Sequence, residues 1–338
     1  MLKINLSHKM FAQSTFEVLS NSSFTVLAFK YESGVEALKI KNSRGYLVVL
    51  PFEGLIIWDA FFDNMSLKMK DMFSQPYPGE NIADTYGCFQ FTSGLLANGT
   101  PAPDDIHPLH GEFSTSPMDK SWIIIDKDTL KICSSFEYVK GFGYHYLAEP
   151  SVTMSKDSAL FKIEQQVTNL SEYQPMPIMY MCHMNYAFTK NGEISSNIPD
   201  KAFTLRQTIP GHVHPTKEWL GYNDELKKSK KLINVLDKPE KYDPEIVFFA
   251  DNISHYAKDA EFKMKTDSTR TFVIKFPTDE FNVVTRWLLY NPDQQVAAFA
   301  LPGTNRPEGY NAAVRNNSLQ HLAPKEKRNF TVITGIED

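Results

Sequence analysis

The chain has 338 residues, 42% of them hydrophobic and 13% aromatic, which supplies a large core and excludes a disordered class. Its formal net charge of −5 argues against a nucleic-acid partner, since such binders concentrate basic residues on one face. No apolar window approaches a membrane span, and the first residues, MLKINLSHKMFAQSTF, lack the apolar stretch of a signal peptide, so a cytoplasmic protein is expected.

In chain order, β-rich runs occur at residues 24–29 (FTVLAF), 45–52 (GYLVVLPF) and 130–139 (LKICSSFEYV). Phe161, Ile163, Gln165 and Val167 then alternate with period two, which puts them on one face of a strand. Residues 245–250 (EIVFFA), the alternating Phe272, Ile274 and Phe276, and residues 329–336 (NFTVITGI) continue the series. No helical pattern follows each strand, so the expectation is an all-β sandwich forming one unit over residues 1–338, without linker or repeat. Two stretches break the rhythm. Residues 79–113 read as a functional loop carrying His107, His110, Asp104 and Asp105. Residues from about 215 to 244, with Lys227, Lys228, Lys230 and Lys231, read as a solvated surface insertion without a helix. Cys88, Cys133 and Cys182 are odd in number and lack C-x-x-C spacing, so neither a disulfide framework nor a thiolate zinc site is expected.

Three clusters set polar groups among aromatic and apolar residues, the composition of a pocket for a polyhydroxylated ligand. In HPLHGEFS, His110 precedes Gly111, which permits a tight turn or close approach to a ligand, though a lone His near a Gly is more often an ordinary turn residue. In PIMYMCHMNYAF, His183 and Asn185 share one strand face. They fit either buried groups that satisfy the backbone or a proton donor held at a sugar. In FALPGTNRPEGYNAA, turn chemistry explains Pro, Gly and Asn, and a surface ion pair would account for Arg306 and Glu308.

Taken together and in order, these segments resemble the aldose 1-epimerase (galactose mutarotase-like) superfamily, specifically its aldose-epimerase-like branch. The resemblance runs through LPFEGLIIWDAFFDNMSLKMKDMFSQPY, FTSGLLANGTPAPDDIHPLHGEF, QQVTNLSEYQPMPIMYMCHMNYAF and LPGTNRPEGYNAAVRNNSLQHLAP. It implies a β-supersandwich of large antiparallel sheets with a sugar in a cleft, and interconversion of α and β anomers without metal or cofactor. A base takes the anomeric proton while an acid protonates the ring oxygen. By resemblance His183 is the acid and His110 a sugar ligand, with Asn185 on the same strand and Trp58, Asp59 and Trp287 as walls. The family's strand-borne Glu is replaced by Leu301, and no arginine occurs in residues 86–94. Glu308, beside Arg306, is the expected substitute base, with Arg306 also reaching sugar hydroxyls. The rival expectation is a sugar-binding protein without turnover, and a third is a glycosidase-like reaction through Asp104 or Asp105. A small-molecule sugar is the expected partner. Whether two copies pair is left open.

Overall fold

A computed structural model describes residues 1–211, 213–266 and 270–337. Most of its strands form two large antiparallel sheets, the all-β architecture that the sequence implies, and Met176–Ile178 pairs with Gln320–Leu322 in a small separate one. The nine-stranded sheet runs from Leu2–Asn5 through Lys120–Ile125, Thr129–Val139, His145–Ser155, Leu160–Asn169, Lys327–Glu337, Thr271–Pro277 and Asp259–Lys265 to Glu193–Ser196. Segments from both ends of the chain therefore share one sheet. The twelve-stranded sheet runs from Phe203–Leu205 through Ile246–Asp251, Val283–Tyr290, Gln295–Gly303, Met181–Met184 and Gln90–Ser93 to Ile56–Phe62. It then continues through residues 45–50, 36–41 and 25–30 to 16–20, with Met65–Ser66 hanging off the Ile56–Phe62 strand.

Period-two alternation fixes which face meets the core. In Leu160–Asn169 every second residue is buried, so Phe161, Ile163, Gln165 and Val167 point between the sheets. Rings from opposite sheets meet there, with Phe62 stacked on Phe161 at 5.7 Å and Tyr186 against Phe272 at 4.9 Å. The Tyr186 hydroxyl, buried among them, is satisfied by Thr334 Oγ1 at 2.6 Å. Cys88, Cys133 and Cys182 are buried free thiols. None of the helices described is long and apolar enough to cross a membrane.

The stretch read as a helix-free insertion holds a helix, Lys217–Ser229. Thr216 caps it by accepting from the Trp219 amide at 3.1 Å, and Lys230 ends it in the left-handed conformation (φ 52°). Its buried stripe is only Trp219, Asn223 and Leu226, a spacing of one helical face. Lys227 and Lys228 lie in its last turn, where the helix dipole favours cations, and all four lysines of the run are exposed. Residues 79–113 are likewise not all loop, because Gln90–Ser93 is a central strand of the larger sheet.

Candidate active site

The Met181–Met184 strand pairs with Gln90–Ser93, placing His183 opposite Phe91. Alternation sends Cys182 and Met184 into the core and His183 to the other face of the twelve-stranded sheet. There a cleft of about 430 Å³ is lined by His110, His183, Tyr86, Trp287, Leu301, Arg206 and Glu245, among others. The His183 ring stacks on Phe91 (4.5 Å between centroids, 17°) and meets the rings of His110 at 5.0 Å and Trp287 at 5.6 Å. Its Nε2 lies 3.2 Å from the Tyr86 hydroxyl. Burial lowers its pKa from 6.5 to about 3, against a smaller opposing effect of Asn185, so the imidazole is neutral at physiological pH. Burial also holds the Tyr86 phenol well above its ordinary pKa, so that hydroxyl keeps its proton.

His110 reaches the cleft from a loop rather than a strand. Its φ of 59° and that of Gly111 (81°) turn the chain sharply, and a Cβ on Gly111 would lie 2.2 Å from the Ala97 carbonyl oxygen. The turn is pinned where the Gly94 amide donates to the His110 carbonyl and the His110 amide to Gly99, both at 2.9 Å. His110 Nδ1 lies 2.7 Å from Ser93 Oγ, which donates its own proton to Asn98 Oδ1. The serine hydroxyl is therefore the acceptor from Nδ1–H. Two residues on, the half-buried Glu112 accepts at its carboxylate from the Leu95 amide (3.0 Å), the Leu96 amide (3.1 Å) and the Tyr146 hydroxyl (2.7 Å).

Several expected site residues stand elsewhere. Asn185 is fully buried off the cleft lining, donating through Nδ2 to the Cys88 carbonyl at 2.9 Å; its Oδ1 and His183 Nδ1 lack a well-formed hydrogen bond. Trp58 belongs to an apolar cluster with Phe91 and Cys88, under Lys68, and Asp59 accepts from the Tyr46 hydroxyl at 3.3 Å; neither lines the cleft. Arg306 is drawn away by a two-pronged pairing with Asp251, as its planar fork favours, and lies over Phe249. Glu308 accepts from Thr208 Oγ1 at 2.8 Å, with Arg206 at 3.7 Å and Arg306 at 3.9 Å, and it too is outside the lining. Asp104 pairs with Arg315, and Asp105 accepts from the amides of Ala102 and Asn311, so both tie their loop to the short helix Tyr310–Arg315.

Leu301 lines the cleft, opposite Thr285 on the neighbouring strand. Among the polar lining groups that sequence reasoning missed are Tyr86, Arg206, Asp243 and Glu245. Glu245 heads the Ile246–Asp251 strand, is 8% exposed, and accepts at Oε2 from Trp287 Nε1 at 2.8 Å. Its backbone carbonyl accepts from Trp219 Nε1 at 2.8 Å, so the helix Lys217–Ser229 fixes its place. Arg206 stands 3.7 Å from both Glu245 and Glu308. A charged residue at the head of an otherwise apolar strand, in EIVFFA, was the available signal for Glu245.

Comparison with known proteins adds the fold's relatives. Residues 32–199 match a family model described as a domain of unknown function, DUF4432. No curated protein matches the sequence. Among solved structures, a candidate aldose 1-epimerase from Klebsiella pneumoniae subsp. pneumoniae MGH 78578 superposes with a TM-score of 0.76 at 13% identity, covering 99% of this chain and 87% of that one. A galactose mutarotase-like protein from Clostridium acetobutylicum gives 0.60 at 14% identity, over 94% of this chain and 100% of that one. A candidate aldose 1-epimerase from Escherichia coli K12 gives 0.60 at 13% identity, over 88% and 98%. Two antiparallel sheets of this size, matched across nearly the whole chain, identify the fold as galactose mutarotase-like.

Proposed function

We propose that the cleft binds an aldose and interconverts its α and β anomers, an isomerase activity of the aldose 1-epimerase type. The observation that carries this reading is the meeting of His183 and His110, ring to ring at 5.0 Å, in one cleft that also contains a carboxylate. Anomerisation needs a base at the anomeric hydroxyl and a donor at the ring oxygen, held on opposite sides of C1. The Tyr86–His183 pair suits the donor side, because its 3.2 Å contact offers a retained proton to an oxygen that becomes basic as the C1–O5 bond breaks. Trp287 and Tyr86 give the flat apolar walls on which a sugar's C–H face packs.

The rival reading, sugar binding without turnover, draws on Leu301 in place of a carboxylate and on the neutral His183. Rate separates the two. Freshly dissolved α-glucose and α-galactose, followed by NMR or polarimetry, should equilibrate faster with the protein than without it. Saturable binding with unchanged equilibration would leave only the binding function.

A further inference from the structure

We infer that Glu245 is the general base of this cleft, taking from a neighbouring strand the part that Leu301 cannot play; the inference rests on the isomerase reading above. Leu301 sits on the Gln295–Gly303 strand, the next strand is Val283–Tyr290, and Glu245 stands at the head of the one after it. Phe249 is the residue in line with Thr285 and Leu301, and Glu245 comes four residues before it, so its carboxylate stands roughly 10 Å across and about 13 Å along the sheet from the position of Leu301. The sugar's placement must move with it.

Contacts from two neighbouring elements help set Glu245 in place. Its carbonyl is held by Trp219 Nε1 at 2.8 Å, its Oε2 by Trp287 Nε1 at 2.8 Å, and Arg206 lies 3.7 Å from Oε1. The Trp287 indole that binds the carboxylate also touches the rings of His183 and Tyr86, at 5.6 and 6.1 Å. Base and donor pair thus flank one aromatic plate. A pyranose lying on that plate has O1 toward Glu245 and the ring oxygen toward Tyr86 and His183. Glu308 lacks this arrangement, since it is committed to Thr208 and lies outside the lining.

In the forward step the Glu245 carboxylate takes the proton from O1. The O1–C1 linkage becomes a carbonyl as the C1–O5 bond breaks, and O5 takes a proton from the Tyr86–His183 pair. Rotation about C1–C2 and the reverse transfers close the ring on the other face, with no net gain of protons or electrons.

The test is Glu245→Gln, which keeps the side chain's size and still accepts from Trp287. Anomerisation should fall by about a hundredfold or more, the usual scale for losing a positioned base, while sugar affinity stays within a few-fold of wild type. Glu245→Ala should recover part of its rate with added formate, which a packing defect would not. Near wild-type turnover in Glu245→Gln, or a loss confined to Glu308→Gln, overturns the assignment while the isomerase reading stands. A wild-type protein that binds sugar without accelerating anomerisation overturns both.

Discussion

His183 is enclosed by Phe91, His110, Tyr86 and Trp287, and the same enclosure sets its acid-base behaviour. Its native pKa of about 3 lies below the ordinary 6.5, so between those values the unfolded chain binds a proton that the native site refuses. The stability contributed by the neutral ring is complete above pH 6.5 and is lost as the pH falls toward 3, with a limit on the order of a few kcal/mol. Urea melts of wild type and His183→Gln at pH 7 and pH 4 check this: the wild type should lose more stability on acidification than the variant. Parallel losses would remove His183 as the cause. The site's two imidazoles were legible in the sequence, because His183 interrupts an apolar strand and His110 abuts a glycine, whereas Tyr86 was missed and Trp58 lies off the cleft. The carboxylate was not. Glu308 drew attention as the nearest Glu in sequence to Leu301, but proximity along a chain says little about which side chains share a sheet face. Glu245 becomes a neighbour only through strand order, and Arg306 found a better partner in Asp251 than any sugar hydroxyl could offer.

Among the elements, the turn that delivers His110 depends on Glu112. Three donors converge on its carboxylate, and burial pushes its carboxyl pKa up against their effect. Glu112→Ala leaves the Leu95 and Leu96 amides and the Tyr146 hydroxyl without that acceptor, which should cost about 2–4 kcal/mol in denaturant melts and weaken sugar binding through a displaced His110. A variant with wild-type stability and affinity would show that the turn holds itself. Strands were legible wherever period-two alternation met a buried face, as in Leu160–Asn169. The helix Lys217–Ser229 was hidden because only three of its residues face the core while lysines and acids fill the rest, so its composition matches that of a solvated loop. Missing the helix also meant missing Trp219, and with it the contact that holds Glu245.

For the molecule as a whole, charge bears on which sugars enter. Among the described residues, Glu245 and Asp243 line the cleft against one guanidinium, Arg206, on a chain of formal net charge −5. Neutral aldoses should therefore bind at least about tenfold more tightly than their phosphate or uronate counterparts, with the gap narrowing as salt rises. Calorimetry at low and high salt measures this, and a preference for the anionic sugar would contradict it. The position of Lys327–Glu337 has a different kind of consequence, concerning the order of assembly. This late segment is an interior strand of the nine-stranded sheet, between Leu160–Asn169 and Thr271–Pro277. As the chain emerges from the ribosome, residues 120–169 can pair among themselves, and so can the strands of residues 193–277 in that sheet, but each set presents a raw edge where its missing neighbour belongs. The two sets cannot be joined until residue 327 onward has appeared. Synthesis therefore passes through a long interval in which two open edges await one strand, when self-association competes with completion.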